Sequence, residues 1–500
     1  MPKLLLIEPP FYRLYKNTYS LHQYPLALGY LAGTVRSRTN WQVMAYNADF
    51  SPAGESPDLI HMMAQGYSNY REQLQTQTGP VWNEIRETME AYQPDVVGIS
   101  TKSANFTASR LVAKIAKTLA SHPVVVVGGP HVSMVKSEVL SHPEIDIAVM
   151  GEGEETLLQL LEALERKSAP ADVAGIIYRD GDKVRQTPQR PLISDLDLLC
   201  FPHTSAPEVL KDYQHYPASA FGKIFSTRGC PYNCFFCGSR EVWTRAVRHR
   251  SVANVMAEID SLMARGTREI YFADDTFGVS KQRIFALCGA IAERFRGLWW
   301  SCELHVNLID PAVLRAMKKA NCQLIQMGIE SGSNHILREM RKGYTIEKAL
   351  AAARMVKEAG IYLSTFFMVG LPQETEETLR ATIKAIEQAD SDEICYSIFT
   401  PYPGTEAFAF CRERGLVDDS YDASIYNHKS PENCFCAAIK KERFRQLCSE
   451  LEESIAARNR RRRLKRALSF RTLKKIQELG FKESFNHAMN LMAQRSSSTR

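Results

Sequence analysis

Hydrophobic positions in the first third of the chain form short continuous runs separated by helical patterns. Strands are expected at Lys3–Ile7, Val43–Tyr46, Val96–Ser100, Val124–Val127 and Ile145–Met150. Between them apolar residues recur with helical spacing, as in Leu26–Val35. Continuous Val and Ile runs of this kind indicate strands that are buried on both faces of a parallel sheet. Residues 1–165 are therefore predicted to form an α/β domain with a doubly wound, Rossmann-like parallel sheet.

A second alternation of strands and helices begins at Lys223. Strands are expected at Lys223–Thr227, Glu269–Ala273, Leu298–Glu303, Gln323–Ile329, Ile361–Val369 and Glu393–Thr400. Ser251 and Thr375 stand where the N-caps of intervening helices belong. Six successive β–α units predict a partial (β/α)6 barrel over residues 221–415, and barrels of this kind carry their chemistry at the carboxyl ends of the strands.

The remaining segments are less regular. Residues 166–220 are expected to be a connector, with a hairpin between Val173 and Gln186 and several prolines that keep the chain extended. Residues 416–500 are expected to be mainly helical and to end in a disordered tail at Ser496–Arg500. The basic run Arg458–Arg466 could meet an acidic substrate, a membrane surface or RNA, but a solvated helix face is the favoured interpretation.

Composition narrows the function class. The net charge of +6 is small for 500 residues, so it does not indicate a nucleic-acid partner. The first of the 12 cysteines is Cys200, and so few cysteines favour a reducing compartment over a disulfide scaffold. The apolar start at Met1–Ile7 is too short for a signal peptide, and no apolar run approaches the length of a membrane span. A cytoplasmic protein is expected, with peripheral membrane contact left open.

Three cysteines, Cys230, Cys234 and Cys237, follow the first expected barrel strand with C-x3-C-x2-C spacing. Clustered thiolates in a reducing compartment point to a soft metal, and three of them leave one iron of a [4Fe–4S] cluster open for a ligand. A zinc site with His249 as a distant fourth ligand is an alternative. Zinc sites usually show their second ligand pair at short spacing. Three unconnected core cysteines are less favoured still.

The cysteine motif, together with the polar residues that end the later barrel strands, resembles the radical S-adenosylmethionine (SAM) family. The N-terminal segment resembles the cobalamin-binding domain of the B12-dependent members of that family. The motifs that carry this second resemblance are Gln23–Ala32, Asp95–Ser100, Val127–His131 and Gly151–Glu155. The resemblance implies three cofactors: a [4Fe–4S] cluster, SAM and cobalamin.

The resemblance also implies roles for individual residues. The cluster ligands would be the three cysteines named above. The SAM-binding residues would be Phe236, Ala273, Asp274, Asp275, Glu330, Ser331, Val369 and Gly370. The cobalamin-binding residues would be Ser100, Thr101, Gly128, Gly129, Pro130, His131, Gly151, Glu152 and Gly153. The D-x-H-x-x-G motif by which many B12 proteins supply a histidine to cobalt is absent, so a local hydrogen bond is favoured for His131 over cobalt coordination.

As an activity, the resemblance implies methylation of an unactivated carbon of a small-molecule or lipid-like substrate, with electrons from an external one-electron reductant of the flavodoxin or ferredoxin type. A cyclase like the anaerobic magnesium-protoporphyrin ester cyclase is an alternative with the same architecture. The tRNA methylthiotransferases normally carry three more cysteines in the N-terminal domain, and none is present here. A non-catalytic B12-binding sensor is an alternative from another class, and the cysteine triplet argues against it.

Overall fold

The computed structural model describes residues 1–58, 61–62, 65–426, 430 and 433–467. The disorder expected at Ser496–Arg500 lies outside these residues, as do several side chains of the basic run Arg458–Arg466. The described residues contain two large sheets, one in each half of the chain.

The first sheet has seven strands in the described residues. They are β1 Lys3–Glu8, β2 Gln42–Asn47, β3 Val96–Ser100, β4 Val124–Gly128, β5 Ile147–Val149, β6 Ile176–Asp180 and β7 Lys183–Gln186. Their order is β2-β1-β3-β4-β5-β6-β7, with β1 to β5 parallel and β6 and β7 added antiparallel at one edge. The hairpin expected in the connector is therefore part of the first sheet.

Helices cover both faces of this sheet. They are α1 Tyr12–Tyr15, α2 Leu26–Arg38, α3 Gln65–Thr76, α4 Pro80–Tyr92, α5 Phe106–Lys117, α6 Pro130–Val135, α7 Glu154–Glu165 and α8 Pro202–Val209. Alternate side chains of β1 enter different cores: Leu4 and Leu6 share a core with α2 and α7, whereas Leu5 and Ile7 share one with α4 and α5. Because successive strand residues point to opposite faces, both faces must be covered. This confirms the doubly wound α/β architecture.

The second sheet has six parallel strands in the described residues. The strands of this half are β8 Lys223–Ile224, β9 Thr227–Arg228, β10 Arg248–His249, β11 Glu269–Phe272, β12 Trp299–Glu303, β13 Cys322–Glu330, β14 Tyr362–Val369 and β15 Glu393–Ile398. The sheet order is β15-β14-β13-β12-β11-β8. The helices are α9 Ser239–Trp243, α10 Val252–Ala264, α11 Lys281–Arg294, α12 Pro311–Lys319, α13 Asn334–Glu339, α14 Ile346–Glu358, α15 Glu376–Gln388, α16 Glu406–Glu413 and α17 Lys441–Ala467. The partial (β/α)6 barrel is confirmed.

The first barrel strand differs from the expectation of one strand over Lys223–Thr227. Strand β8 pairs with β11 and ends at Ile224, whereas β9 pairs antiparallel with β10. The backbone N–H groups of Ser226 and Thr227 donate to the Asp274 carboxylate, at 2.7 and 3.0 Å. These donors are used by a side chain, so the ladder with β11 is interrupted just before the cysteine loop.

The loops at the carboxyl ends of the two sheets contact each other. Met134, at the end of α6, lies against Gly238 and against Gly404, which follows β15. A β-carbon on Gly404 would lie 2.4 Å from the Met134 carbonyl oxygen, so this contact requires the absence of a side chain. The two strand-end edges therefore face a shared space between the sheets.

The long helix α17 covers the outer edge of the barrel. Phe444, Leu447 and Leu451 are buried in the barrel core. The Asn459 side chain accepts from the Ile394 N–H at 3.0 Å and donates to the Ile394 carbonyl at 2.9 Å. A side-chain amide thus satisfies both backbone groups of one residue on the edge strand β15, and an exposed pairing edge is avoided there.

Candidate active site

The cysteine loop follows β9 directly and is tied to the barrel on both sides. Gly229 has a φ of +103°, and a β-carbon there would lie 2.0 Å from the Ala246 carbonyl oxygen. Only glycine tolerates that combination of conformation and close approach. Further along, the Phe235 N–H donates to the Met340 carbonyl at 3.2 Å, and the Phe235 ring is buried in the barrel core. The loop is therefore anchored before and within the cysteine motif.

The three thiols lie close enough to influence one another. Burial raises the pKa of Cys230 to about 11, and the charges of Cys237 and Cys234 add to the increase. The Cys237 N–H donates to the Cys234 carbonyl at 3.2 Å, and the Ser239 N–H donates to the Cys237 sulfur at 3.4 Å. Three thiols on one loop and within electrostatic range of one another could serve one metal cluster, whose charge would stabilise the thiolate forms that burial disfavours.

The zinc alternative finds no support in the geometry. The His249 Nδ1 lies 3.2 Å from the Thr227 hydroxyl, so its ring is engaged in the β9–β10 pair. Among the described residues, no three His, Cys, Asp or Glu side chains are close enough together to hold one metal ion. In a [4Fe–4S] cube each thiolate binds a different iron, so its ligands are spaced more widely than those of a single ion.

The two carboxylates after β11 face different surroundings. Asp274 is buried and accepts from the N–H groups of Ser226 and Thr227, so it braces the chain before the cysteine loop. Burial raises its pKa to about 6, although these hydrogen bonds lower it. Asp275 accepts from the Ser239 hydroxyl at 2.6 Å and lies in electrostatic range of Cys230 and Cys237. Of the two carboxylates, Asp275 is the one that faces the thiols, and Ala273 precedes both at the end of the strand.

Residues at and after the end of β13 form a second polar cluster near the thiols. Glu330 has a φ of +67°, an uncommon conformation for a residue with a side chain. Its carboxylate pairs with Lys342 at 3.0 Å, and the Lys342 nitrogen lies 5.8 Å from the Phe236 ring centroid. Lys342 also lowers the pKa of Cys234, although burial raises it more. Ser331 is fully buried, and its hydroxyl is hydrogen-bonded to the Thr382 hydroxyl, so its side chain stabilises the turn after β13.

A buried carboxyl group stands beneath the loop after β14. Gly370 follows Val369, and its N–H donates to Glu374 Oε2. The other carboxyl oxygen, Glu374 Oε1, has no partner among the described residues. Burial raises the pKa of Glu374 to about 7, although hydrogen bonds from Gly370 and Leu371 lower it. Glu374 was not a sequence candidate. Its only signal was a charged residue at a strand-end turn.

Sequence inspection also missed a ring stack over the cysteine loop. The Tyr232 and His305 rings are parallel, with centroids 3.6 Å apart and an interplanar angle of 15°. Burial lowers the pKa of His305 to about 3, and Lys342 and Lys348 lower it further. His305 comes from the end of β12, so this stack joins the cysteine loop to the barrel rim. Its only signal in the sequence was a histidine just after a strand.

The carboxyl edge of the first sheet has the features expected of a site for a large ligand. Ser100 pairs with Gly128 at the ends of β3 and β4, and the Thr101 N–H donates to the Gly128 carbonyl at 2.7 Å. Gly129 has a φ of +117°, and a β-carbon there would lie 2.7 Å from the Thr101 carbonyl oxygen. A β-carbon on Gly151, by contrast, would meet no atom within 4 Å, so the edge is open there. These backbone loops fit the close approach of a corrin.

His131, next to Pro130 in α6, is buried and makes local contacts. Its Nδ1 lies 2.9 Å from the Ser103 hydroxyl, and its ring is tilted on Phe106 with centroids 4.2 Å apart. Burial lowers its pKa to about 4, with a smaller contribution from His142. The ring is buried, neutral and hydrogen-bonded locally, which supports the interpretation favoured from the sequence.

Glu152 joins the two α/β units. Its carboxylate accepts from Arg228 at 2.6 Å and from Arg248 at 2.7 Å, and it also accepts the Ile193 N–H. Glu154, beyond Gly153, pairs with the same Arg228 at 2.6 Å. The Glu152 carboxylate is thus committed to an interdomain network, so any contact that this residue makes with cobalamin would come from its backbone.

Two family models match the chain. The B12 binding domain matches residues 12–161, and the Radical SAM superfamily matches residues 224–386. An uncharacterized methyltransferase of Pyrococcus horikoshii is 32% identical over 419 residues, which are 83% of this chain and 84% of that protein. The chain belongs to the B12-binding radical SAM family. The anaerobic magnesium-protoporphyrin IX monomethyl ester cyclase of Rubrivivax gelatinosus is 30% identical over 413 residues, with coverage of 80% and 71%.

Among solved structures, the same architecture is found in the radical S-adenosylmethionine methyltransferase TsrM from Kitasatospora setae, with cobalamin and a [4Fe–4S] cluster bound. The TM-score is 0.65 and the identity 18%, over 91% of this chain and 89% of that one. At this identity the likeness shows the fold. The chain is a radical SAM enzyme whose cofactors are a [4Fe–4S] cluster, SAM and cobalamin, and its relatives include methyltransferases and magnesium-protoporphyrin cyclases. In the part of the chain that the structure describes, no helix is long and apolar enough to cross a membrane.

Proposed function

We propose that this enzyme methylates an unactivated carbon of a small-molecule or lipid-like substrate held between the two sheet edges. The observation that carries the proposal is that the cysteine loop and the glycine-rich carboxyl edge of the first sheet border one space, since Met134 of α6 lies against Gly238, next to Cys237. Similarity to the Pyrococcus horikoshii methyltransferase over most of both chains supports methyl transfer. When bound, the cluster would supply the electron that cleaves SAM to a 5′-deoxyadenosyl radical, and methylcobalamin would supply the methyl group.

The chain's own residues would position and enclose these groups. Cys230, Cys234 and Cys237 would hold the cluster, and Asp274 braces the strand end from which their loop starts. Asp275 and Glu330, on either side of the thiols, would orient SAM, with Phe236 beside its adenine. The contact between the two edges would exclude water from the shared space, which is necessary because radical intermediates react with stray hydrogen donors.

For the cobalamin, Thr101, Gly129 and Gly151 would contribute backbone groups on the open edge. His131 would be kept out of the cobalt coordination sphere by Ser103. The external reductant would be a flavodoxin or ferredoxin. The assignments of the backbone groups and of His131 rest on the contacts described above, and the reductant is proposed from the family membership.

The test is product analysis under anaerobic conditions. Protein reconstituted with iron and sulfide is supplied with cobalamin, reductant, SAM and host extract, and the nucleosides are measured by mass spectrometry. We expect S-adenosylhomocysteine and 5′-deoxyadenosine together, and neither methylated product nor 5′-deoxyadenosine from Cys234→Ala. A variant outside the site, Lys183→Gln, should behave as the wild type. Full 5′-deoxyadenosine formation by Cys234→Ala would refute the cluster assignment.

A ring-forming activity like that of the Rubrivivax gelatinosus cyclase is the second candidate, favoured by the 30% identity over 80% of this chain. The same measurement separates the two candidates, because cyclisation needs no net methyl transfer. 5′-Deoxyadenosine without S-adenosylhomocysteine, and a product of unchanged carbon count, would favour the cyclase.

A further inference from the structure

Charged side chains from both α/β units meet in the space between the sheet edges. Glu8, at the end of β1, pairs with Lys102 at 2.6 Å. Glu303, at the end of β12, accepts from the Tyr271 hydroxyl at 2.8 Å. On the side nearer the cysteine loop, the Glu330–Lys342 and Asp275–Ser239 pairs described above are also complete. Each of these groups therefore has a partner of its own.

Lys223 differs from these groups because it has no such partner among the described residues. It lies on β8, opposite Tyr271 of β11 in the sheet register, and its nitrogen lies 5.8 Å from the Tyr271 ring centroid. Across residues 1–58, 61–62, 65–426, 430 and 433–467, no carboxylate lies at salt-bridge distance from this nitrogen and no acceptor at hydrogen-bond distance. Glu303 and Glu8 attract it only over a longer range, while Lys102 repels it.

This ammonium group is in an unfavourable environment. Lys223 is half-buried, and burial lowers its pKa, with a further decrease from Lys102. Taking a charge partly out of water without a partner costs free energy, which an anion bound at the same place would recover. The Tyr271 ring face offers only a weak cation–π contact at this distance. The geometry leaves a cationic position on the barrel wall, within electrostatic range of Glu8 and Lys102 at the carboxyl edge of the first sheet.

We propose that Lys223 binds an anionic group, a carboxylate or a phosphoryl group, of the substrate. This inference rests on the proposed function and narrows its substrate from small-molecule or lipid-like compounds to acidic ones. The carboxylate of SAM is assigned to another place, because the cation next to Cys234 and Phe236 is Lys342. The charges that act on Lys223 come from Lys102, Glu303 and Glu8, and none of the three thiols is among them.

Binding is tested before activity. Wild type, Lys223→Gln, Lys223→Arg and the exposed control Lys183→Gln are loaded with cluster, cobalamin and SAM. Each is mixed with the acidic or the neutral fraction of a host metabolite extract, separated on an anion exchanger. Compounds that stay bound through rapid gel filtration are measured by mass spectrometry. Iron content and circular dichroism check that each variant is folded, and Lys223→Arg keeps the charge if Lys223→Gln does not fold.

We expect wild type and Lys183→Gln to retain the same acidic compound, and Lys223→Gln to retain at least about tenfold less of it. Lys223→Arg should retain more than Lys223→Gln. The proposal is overturned if only neutral compounds are retained, if Lys223→Gln retains the acidic compound equally, or if no extract compound stays bound to the wild type. It is also overturned if Lys223→Gln loses SAM or cobalamin instead, because the ammonium would then serve a cofactor.

A separate arm distinguishes this site from the proposed function. The same samples are given reductant and SAM with a ¹⁴C-labelled methyl group. A compound that depends on Lys223 for retention and is never labelled would contradict methyl transfer while leaving the anion site standing. A labelled compound without an acidic group would contradict the anion site while leaving methyl transfer standing.

Discussion

Arg228 Nη1 lies 2.6 Å from Glu152 Oε1, and this buried ion pair joins the two α/β units beside the cysteine loop. The other guanidinium nitrogen, Nη2, pairs with Glu154 at 2.6 Å. The guanidinium carbon of Arg228 also lies 5.1 Å from the ring centroid of Tyr30 and 5.8 Å from that of Trp243. Because Arg228 precedes Cys230 by two positions, the first sheet and the cysteine loop are held in one relative position.

Replacing Arg228 with methionine should therefore uncouple the two units. Glu152 and Glu154 would stay buried with less compensation, and breaking a buried pair of this kind costs about 3–5 kcal/mol. We expect a matching loss in the free energy of unfolding, measured with urea, and a lower iron content after reconstitution. The exposed pair Arg36–Glu208 gives the control, because Arg36→Met should cost less than about 1 kcal/mol. Equal effects from the two variants would contradict the proposed coupling.

Glu374 should make the protein less stable as the pH rises. Its pKa is raised from 4.5 to about 7 by burial, so the folded state keeps the proton to higher pH than the unfolded state does. Tighter proton binding in the folded state therefore adds to the free energy of unfolding. This contribution is complete below pH 4.5 and is lost as the pH rises to about 7. The glutamine variant lacks this titration. As the pH rises from 4.5 to 7, the free energy of unfolding of Glu374→Gln should therefore increase by about 3 kcal/mol relative to that of the wild type. Urea unfolding at pH 4.5 and pH 7.5 measures this gain, and the exposed Glu377→Gln serves as control. A constant difference between Glu374→Gln and wild type at both pH values would contradict the assignment.

His131→Gln should leave cobalamin bound without a change in cobalt coordination. Glutamine can keep a hydrogen bond to Ser103, and the histidine ring is already buried against Phe106. We expect the absorption spectrum and the electron paramagnetic resonance spectrum of the cob(II)alamin form to match the wild type. Loss of a nitrogen hyperfine pattern in the variant would show that His131 coordinates cobalt, contrary to this prediction.

Asn459→Leu should expose the edge strand of the barrel. The Ile394 N–H and carbonyl would lose their side-chain partner, and leaving a buried group unsatisfied costs about 1–3 kcal/mol. Hydrogen exchange at the Ile394 amide should become faster, whereas it should be unchanged in the exposed control Glu453→Ala on the same helix. Unchanged exchange in Asn459→Leu would mean that other contacts protect this edge.

Much of the architecture followed from local patterns. The runs that became β1, β3 and β4 were apolar throughout because both faces of the first sheet are covered, and residues 223–398 kept a regular β–α alternation. The cysteine motif and the acidic residues at the strand ends could also be recognised in the sequence, because each motif consists of residues close together in the chain. The roles of the individual SAM and cobalamin residues stay predictions.

Contacts between residues far apart in the sequence could not be predicted from local patterns. No local signal distinguishes Asp274, which braces the chain at Ser226, from Asp275, which faces the thiols. Glu152 stood in a glycine-rich loop typical of ligand binding, and its pairing with Arg228 depends on a contact 76 positions away. The interruption of the first barrel strand had the same origin, because the acceptor for its N–H groups, Asp274, lies 47 or more positions away, after β11.

The sequence by itself determined the two parallel sheets, the three-cysteine motif and the family, because hydrophobic periodicity and motif spacing are properties of neighbouring residues. Only the tertiary structure decided which charges are paired across the shared space, that His131 is buried against Ser103 and Phe106, and that Lys223 has no partner among the residues that the structure describes. Pairing depends on distances between strands from different halves of the chain, and those distances exist only once both sheets have formed and packed.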